Sequence, residues 1–162
     1  MKTTKIISGI ALVTTLLIAN TTNAQKLEYE LLYKIDISVE PGIELGKTPL
    51  GTRVIYSVKG GTFDGPKLKG KVRPTGDDWF LRVDSVTSKL DVKLLLETED
   101  GQLISNTYIG FIHNNPDGST YWRITPLFET SSKKYAWLNY LVAVGVGKGR
   151  EGGVTYEVYA IK

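Results

Sequence analysis

The chain has 162 residues, 41% of them hydrophobic and 23% charged, which is typical of one globular domain. Its formal net charge is only +3, so its overall charge does not indicate a nucleic-acid partner. It contains no cysteine, which excludes disulfides, thiolate metal sites and a cysteine nucleophile.

The first 24 residues are typical of a secretory signal peptide. A short basic start, MKTTK, precedes the apolar run IISGIALVTTLLIA, which is too short for a comfortable membrane span. Small and polar residues follow as far as Ala24, where we expect cleavage; an uncleaved membrane anchor is the alternative. Cleavage would remove two lysines and no acidic residue, which lowers the net charge from +3 to +1. We therefore predict an exported domain of residues 25–162, periplasmic or secreted, with no stable membrane span.

Short runs rich in β-branched and aromatic residues recur along this domain between clusters of Gly, Pro, Asp and Asn. In residues 27–39, apolar side chains alternate from Tyr29 to Val39, which indicates a half-buried strand. Residues 41–51, with two prolines and three glycines, are predicted to form a loop. The remaining strands are predicted at 52–61, 66–74, 78–84, 88–98, 102–112, 120–130, 136–147 and 154–162, with room for one helical turn within 131–137.

About nine strands at regular spacing favour an all-β fold, either a sandwich or a closed barrel. Closure removes the exposed strand edges that would otherwise pair with other chains. A barrel of about eight strands is also wide enough to hold one small ligand. We therefore predict a single antiparallel β-barrel of about eight to nine strands.

Six segments, taken in order, resemble one bacterial and fungal family. They are GGTFDGPKLKGKV (60–72), GDDW (76–79), LDVKLLLETEDGQLI (90–104), YWRITPLFET (121–130), YAWLN (135–139) and VGVG (144–147). From Leu27 to its end, the chain resembles the family known as domain of unknown function 3237 (DUF3237). The resemblance implies a calycin-like barrel related in shape to lipocalins. For a few members it also implies non-redox chemistry on small aromatic compounds, such as decarboxylation.

Arg123 is the leading candidate for binding the acidic group of a ligand. Its guanidinium fork suits bidentate hydrogen bonding to a carboxylate. On a strand through residues 120–130 it shares a face with Tyr121 and not with Trp122. The alternative role for Arg123 is a structural ion pair with Asp78 or Asp91.

Asp78 and Asp91 match acidic positions of the family and are the candidate acid–base residues. A carboxyl group inside a largely apolar barrel has a raised pKa and can exchange protons with a ligand near neutral pH. The alternative is that Asp78 forms a turn with Asp77 and that Asp91 caps a strand or pairs with Arg123.

Aromatic side chains on several predicted strands are candidates to line the barrel lumen. An aromatic lining with a few polar groups is usual for a small-molecule pocket, although such residues are equally common in an ordinary β-core. The candidate ligand-binding residues are Trp79, Tyr108, Trp122 and Trp137, with Asn139 to orient the ligand.

Other features favour neither a metal nor a cofactor. His113 is the only histidine, whereas a zinc site normally needs several N or S ligands. The Gly-rich segment 145–153 does not open a helix and is therefore not a phosphate loop. A cationic stripe, Lys67, Lys69, Lys71 and Arg73, could bind an acidic surface, or could be a solvated strand face that prevents edge pairing.

Three functions stay open on the sequence alone. The first is an exported barrel that binds a small aromatic or amphipathic molecule in its lumen. The second is a cofactor-independent enzyme, similar to a lyase or decarboxylase, acting on a small aromatic acid with Asp as acid–base and Arg as the anion-binding group. The third is an interaction protein that uses the cationic stripe. The identity of the ligand and the oligomeric state are not encoded in these patterns.

Overall fold

A computed structural model describes residues 26–162, so the predicted signal peptide lies outside the described residues. Within residues 26–162, no helix is long and apolar enough to cross a membrane. The described chain forms nine strands and one 3-10 helix (Ala136–Tyr140): β1 Tyr29–Val39, β2 Ile43–Thr48, β3 Gly51–Asp64, β4 Gly70–Arg82, β5 Thr87–Thr98, β6 Leu103–Asn114, β7 Thr120–Glu129, β8 Ala143–Arg150 and β9 Gly153–Ile161.

Eight of the strands in residues 26–162 close into an antiparallel barrel. The order around the ring is β1-β9-β8-β7-β6-β5-β4-β3, and the second half of β3 pairs with β1 to complete it. The ninth strand, β2, pairs only with the first half of β3 and lies outside the ring. The prediction of a single antiparallel barrel of eight to nine strands is therefore confirmed.

Two predictions for the chain before β5 are wrong: one strand was missed, and another was predicted as two strands. The predicted total of nine strands is nevertheless correct. Residues 41–51 contain β2 and are not a loop. Gly46 has φ of 86° and lies at an irregularity in the pairing of β2 with β3, so this glycine belongs to a bulge within the strand and not to a turn. The predicted strands 66–74 and 78–84 both overlap one longer strand, β4 (Gly70–Arg82). The pairing of β4 with β5 shifts between Val72 and Gly76, so the Gly and Pro of this region form a bulge where the sequence suggested a turn.

The strand predicted at 136–147 begins too early. Residues Ala136–Tyr140 form the 3-10 helix, and β8 starts at Ala143. The side chain of Asn139 holds this helix to the end of β7. Its Oδ1 accepts a hydrogen bond from the backbone N–H of Thr130 at 2.8 Å, and its Nδ2 donates to the Thr130 carbonyl oxygen at 3.0 Å. The amide thus replaces a strand partner, and the chain turns before β8.

One half of the barrel, which we call the closed half, is filled by side chains. Tyr33 is fully buried there, and its ring centroid lies 5.6 Å from that of Phe63 and 6.2 Å from that of Phe128. Leu138 from the 3-10 helix is also fully buried and covers this end. Each such side chain contributes roughly 1.5–3 kcal/mol through burial. Open space is therefore confined to the other half of the barrel.

The four cations of the cationic stripe are paired with three glutamates. All four of its cations form salt bridges with neighbouring glutamates: Lys67 with Glu30 at 2.5 Å, Lys69 with Glu99 at 3.1 Å, Lys71 with Glu97 at 3.1 Å and Arg73 with Glu97 at 2.7 Å. Exposed pairs of this kind stabilise a fold by at most about 1 kcal/mol each. The pairing of each cation with an acidic neighbour is what a solvated strand face requires.

Glycines on β8 let large side chains pack directly on its backbone. A Cβ at Gly147 would lie 2.5 Å from Cδ1 of Trp122, and a Cβ at Gly145 would lie 2.5 Å from Cγ1 of Ile124. Both distances are too short for carbon atoms, so neither position has room for a side chain without movement of its neighbour. The VGVG segment therefore fixes the position of Trp122.

Gly147→Ala is expected to lower the free energy of unfolding by about 1–3 kcal/mol, because the added methyl group must displace the indole of Trp122. Urea unfolding followed by tryptophan fluorescence measures the change. Gly149→Ala is the matched control, since its Cβ would lie 3.5 Å from Cζ3 of the same indole, an ordinary contact. The control should stay within about 0.5 kcal/mol of the wild type. Equal losses in the two variants would contradict this account of packing.

Candidate functional site

The open half of the barrel contains a cavity of about 610 Å³, which we call the lumen. Its volume lies within the range of small-molecule sites. Most of the lining is aliphatic or aromatic and comes from strands all around the ring; prominent contributors are Ile37, Val58, Phe80, Leu90, Val92 and Leu94. Such a lining favours an apolar or aromatic ligand over a highly charged one.

Asp78 places a carboxyl group in this apolar lumen. It lies on β4, opposite Tyr56 of β3 and Val92 of β5, which also line the lumen. The bulge before it requires glycine: Gly76 has φ of 102°, and a Cβ there would lie 2.0 Å from the carbonyl oxygen of Lys93. Bulges of this kind re-aim the side chains that follow them, and this one precedes Asp78 by two residues.

Burial raises the pKa of Asp78 to about 7. The backbone N–H of Asp91 donates a hydrogen bond to its Oδ1 at 3.3 Å, which acts in the opposite direction. The negative charge of Asp91 raises the pKa, and the positive charge of Arg53 lowers it. Near neutral pH, Asp78 is therefore populated both as an acid and as a base.

Two buried tyrosines and a tryptophan accompany Asp78; together we call Asp78, Tyr108, Tyr156 and Trp122 the acid cluster. The ring centroids of Tyr108 and Tyr156 are 5.6 Å apart, and those of Trp122 and Tyr156 are 5.9 Å apart. Burial raises the pKa of both phenols, and the charge of Asp78 adds to the shift. Both tyrosines therefore remain protonated and can donate hydrogen bonds.

The acid cluster is not a metal centre. Residues 26–162 contain no group of three or more His, Asp or Glu side chains that could hold a metal ion. The nitrogen Nε1 of Trp122 is buried and has no hydrogen-bond partner among the described residues. The chemistry available to these side chains themselves is therefore hydrogen bonding and proton transfer.

The structure brings three of the sequence-predicted site residues to the lumen, namely Asp78, Tyr108 and Trp122. Asp91 is exposed on the outer surface, where its backbone N–H bonds to Asp78 and its negative charge raises the pKa of Asp78. Trp79 is also on the outer surface, where 49% of it is exposed.

Arg123 lies on the outer face of β7, away from the lumen. Its guanidinium carbon is 4.8 Å from the ring centroid of Tyr121, and its Nη1 donates a hydrogen bond to the carbonyl oxygen of Trp122 at 2.9 Å. Within residues 26–162, no salt bridge joins it to Asp78 or Asp91. The ligand-binding position predicted for Arg123 and the ion pair predicted as its alternative are thus both absent from the structure.

Trp137 and Asn139 belong to the 3-10 helix at the closed half of the barrel and do not line the lumen. Trp137 lies beneath the ammonium group of Lys67, 5.8 Å from the nitrogen to the ring centroid. Asn139 is used to hold the helix, as described above. Neither residue is therefore available to a ligand in the lumen.

Two lumen residues, Tyr156 and Arg150, were not among those predicted from the sequence. Along β9, Tyr156 lies on the same face as Val154, Val158 and Ala160. This face of apolar residues could have predicted from the sequence that Tyr156 points into the barrel. Arg150 lines the mouth of the lumen, but its guanidinium is already engaged. Its Nε donates to Oδ2 of Asp36 and its Nη2 donates to Oγ of Ser38, both at 2.9 Å.

The family model described as "Protein of unknown function (DUF3237)" matches residues 27–161. A UPF0311 protein of Clostridium acetobutylicum is 29% identical, and the match covers 72% of this chain and 83% of that protein. A protein of Penicillium herquei that is named as a hydroalkoxylation enzyme is 27% identical, and the match covers 72% of this chain and 71% of that protein.

Solved structures with the same fold are also found. A β-barrel-like protein from Acinetobacter baumannii has a TM-score of 0.83 and 35% sequence identity, and the match covers 87% of this chain and 99% of that chain. An enzyme from Penicillium herquei has a TM-score of 0.72 and 24% identity, covering 87% of this chain and 98% of that chain. At that identity, the second match establishes a shared fold alone.

Proposed function

The chain belongs to the DUF3237 family of proteins of unknown function, and on that basis we propose that it binds a small aromatic or amphipathic molecule in the lumen and exchanges protons with it through Asp78. The observation that carries the proposal is a carboxyl group with a pKa of about 7 inside an apolar cavity. A carboxyl group in this cavity does not stabilise the fold, because its charged form is poorly solvated there. An acid–base catalyst, in contrast, works best with a group whose pKa lies near the working pH.

Addition of an O–H group across a C=C bond is the reaction class that we assign to this site. One relative is named as a hydroalkoxylation enzyme, which supports this choice. Protonated Asp78 would give its proton to one alkene carbon while the hydroxyl oxygen bonds to the other. The hydroxyl proton would then return to the Asp78 carboxylate. Atoms balance within the substrate, and neither an oxidant nor a reductant is consumed.

The buried tyrosines suit this reaction better than decarboxylation of an aromatic acid. Tyr108 and Tyr156 can donate hydrogen bonds to a neutral oxygen of the substrate. A carboxylate substrate would need a cationic partner, but Arg123 lies outside the barrel and Arg150 is paired with Asp36. A neutral phenol or alcohol therefore fits the lumen better than an anion.

Val92→Phe tests whether the lumen is the binding site. The new ring would occupy the lumen between Asp78 and Tyr108, the neighbours of Val92 on the adjoining strands. Binding of the uncharged fluorescent probe N-phenyl-1-naphthylamine should weaken at least about tenfold, which corresponds to about 1.4 kcal/mol. Fluorescence titration gives the Kd.

Lys93→Phe is the matched control for this experiment. Lys93 is the next residue of β5, and its exposed side chain lies on the opposite face of the strand. The control should bind the probe as the wild type does. If all three proteins have the same Kd, the lumen is not the site, and the proposed function fails with it.

A further inference from the structure

We infer that the ligand is longer than the lumen and that its polar end leaves through the side of the barrel, between β7 and β8, into a second cavity. This inference rests on the proposed function of the lumen and adds the class of ligand. The ligand would be an apolar ring system that carries a polar, hydrogen-bonding tail.

The barrel wall is incomplete between β7 and β8, and we call this place the seam. The pairing of these strands consists of Arg123 with Val146 and Ile124 with Gly145. On its other side, β7 pairs with β6 along its whole length, from Thr120 to Glu129. From Trp122 towards the start of β7, the strand therefore has no ladder partner on β8 within the described residues.

A second cavity of about 900 Å³ lies against the outer face of the barrel beside the seam; we call it the outer cavity. Exposed side chains of β1, β3 and β8 line it, including Lys34, Asp64 and Lys148. The outer cavity and the lumen share three lining residues, Ile112, Trp122 and Tyr156. Two members of the acid cluster therefore border both spaces, and the indole of Trp122, packed on Gly147, separates the two spaces at the seam.

The chemistry of the lining changes across the seam. The lumen side is mostly aliphatic and aromatic, whereas the outer cavity carries hydroxyl, amide and charged groups such as Thr120 and Asn114. Charges of both signs are present, and Lys34 already pairs with Glu157 at 2.7 Å. Most of the surface of the outer cavity is nevertheless apolar, so a tail that combines an apolar stem with hydrogen-bonding groups fits this lining better than a strongly charged one.

A hydrogen-bond donor without a well-formed bond lies at the junction of the two cavities. Nε1 of Trp122 is buried and forms no hydrogen bond of normal geometry among the described residues, although it lies near enough to the Tyr156 hydroxyl to lower the pKa of that phenol. A ligand oxygen at this place would give the buried N–H a better partner. This donor supports a ligand whose polar part begins next to Trp122.

The β8 side of the seam has little side-chain bulk. Gly147 and Gly149 both line the outer cavity, and Gly149 is exposed. A Cβ at Gly149 would lie 3.5 Å from Cζ3 of Trp122, so a larger side chain there would stand beside the indole in the seam. Position 149 is therefore suited to closing the seam without filling the lumen.

Two fluorescent probes that share the same ring system test the inference. Dansylamide has no tail, and N-[2-(2-hydroxyethoxy)ethyl]dansylamide has an uncharged tail that forms hydrogen bonds. Gly149→Phe should weaken binding of the tailed probe at least about tenfold, equivalent to about 1.4 kcal/mol, and change the Kd of dansylamide less than about twofold. Thr125→Phe is the control, because Thr125 is exposed on the outer face of β7 and lines neither cavity.

Thr120→Trp provides a second way to close the seam if Gly149→Phe fails to fold. Thr120 is exposed at the start of β7 and lines the outer cavity from the opposite side. Equal effects on the two probes, or no effect on either, would overturn the inference. Val92→Phe distinguishes failure of this inference from failure of the proposed function. It should weaken the binding of both probes, and unchanged binding of dansylamide by this variant would contradict the proposed function.

Discussion

Replacing Asp78 with asparagine should lower the rate of an intramolecular hydroalkoxylation by about 10²–10⁴-fold, with substrate affinity changed less than about twofold. Asparagine keeps the size and hydrogen-bonding capacity of the side chain but has no proton to transfer. A suitable probe is 2-allylphenol, whose hydroxyl can add to its own alkene. Chromatography follows the product, and in D₂O each product molecule should carry one deuterium on the carbon that was protonated.

The pH dependence of this reaction follows from the environment of Asp78. The group must be protonated to begin the addition, and burial raises its pKa to about 7. The rate should therefore be highest below pH 7 and fall about tenfold for each further pH unit above it. A rate that is flat from pH 6 to pH 9 would argue against Asp78 as the acid.

Asp91→Asn is the matched control for this experiment. It removes an exposed carboxyl group but keeps the backbone N–H that bonds to Asp78. Its rate should stay within about threefold of the wild type, because the lost charge is exposed to solvent and raises the pKa of Asp78 less than burial does. Comparable losses in the two variants would contradict the assignment, and an unchanged Asp78→Asn rate would leave the barrel as a binding protein.

Asp78→Asn should also raise the free energy of unfolding at pH 8, by roughly 1–3 kcal/mol. The pKa of Asp78 is about 7 in the folded state and that of an unfolded aspartate is about 3.9, so the folded state binds the extra proton between these values. Wild-type stability from this group is complete below about pH 4 and declines as the pH rises to 7. The expected gain is smaller than the free energy that corresponds to the whole pKa difference, because Asp78 is only partly buried and solvent screens its charge.

Urea unfolding at pH 5 and pH 8 measures this effect. The gain from Asp78→Asn should be clearly larger at pH 8 than at pH 5, because asparagine does not titrate. A gain of the same size at both pH values would indicate improved packing and not the relief of a buried charge. Greater stability together with lost turnover would show that Asp78 is kept for function at the expense of the fold.

Hydrophobic alternation predicted most strands of the barrel but could not decide which face of β7 is inside. Trp122 and Phe128 face one side, while Tyr121 and Leu127 face the other, so both faces carry large apolar residues. A shift of one residue would exchange the two faces. Only the pairing with β6 and β8 shows that Trp122 faces the lumen and that Arg123 lies outside.

Asp78 shows how far sequence reasoning extends towards the site. Two adjacent aspartates, Asp77 and Asp78, were visible in the sequence, and alternation places them on opposite faces of a strand. The choice between them depends on a bulge at Gly76 that no periodic pattern encodes. Asp77 instead accepts a hydrogen bond from Oγ of Ser57 at 2.7 Å, and Asp78 faces the lumen.

Closure of the ring by β1 makes the binding site a late product of synthesis. β1 pairs with β9 from Tyr29–Ile161 to Ser38–Gly153, so the first and last strands of the described chain are neighbours. Contacts between such distant parts of a chain form slowly and only after both parts exist. A nascent chain that still lacks β9 is an open sheet with two free edges and no enclosed lumen. Ligand binding can therefore begin only when β9 has been synthesised and has paired with β1, and a product truncated before β9 would lack the site as well as that strand.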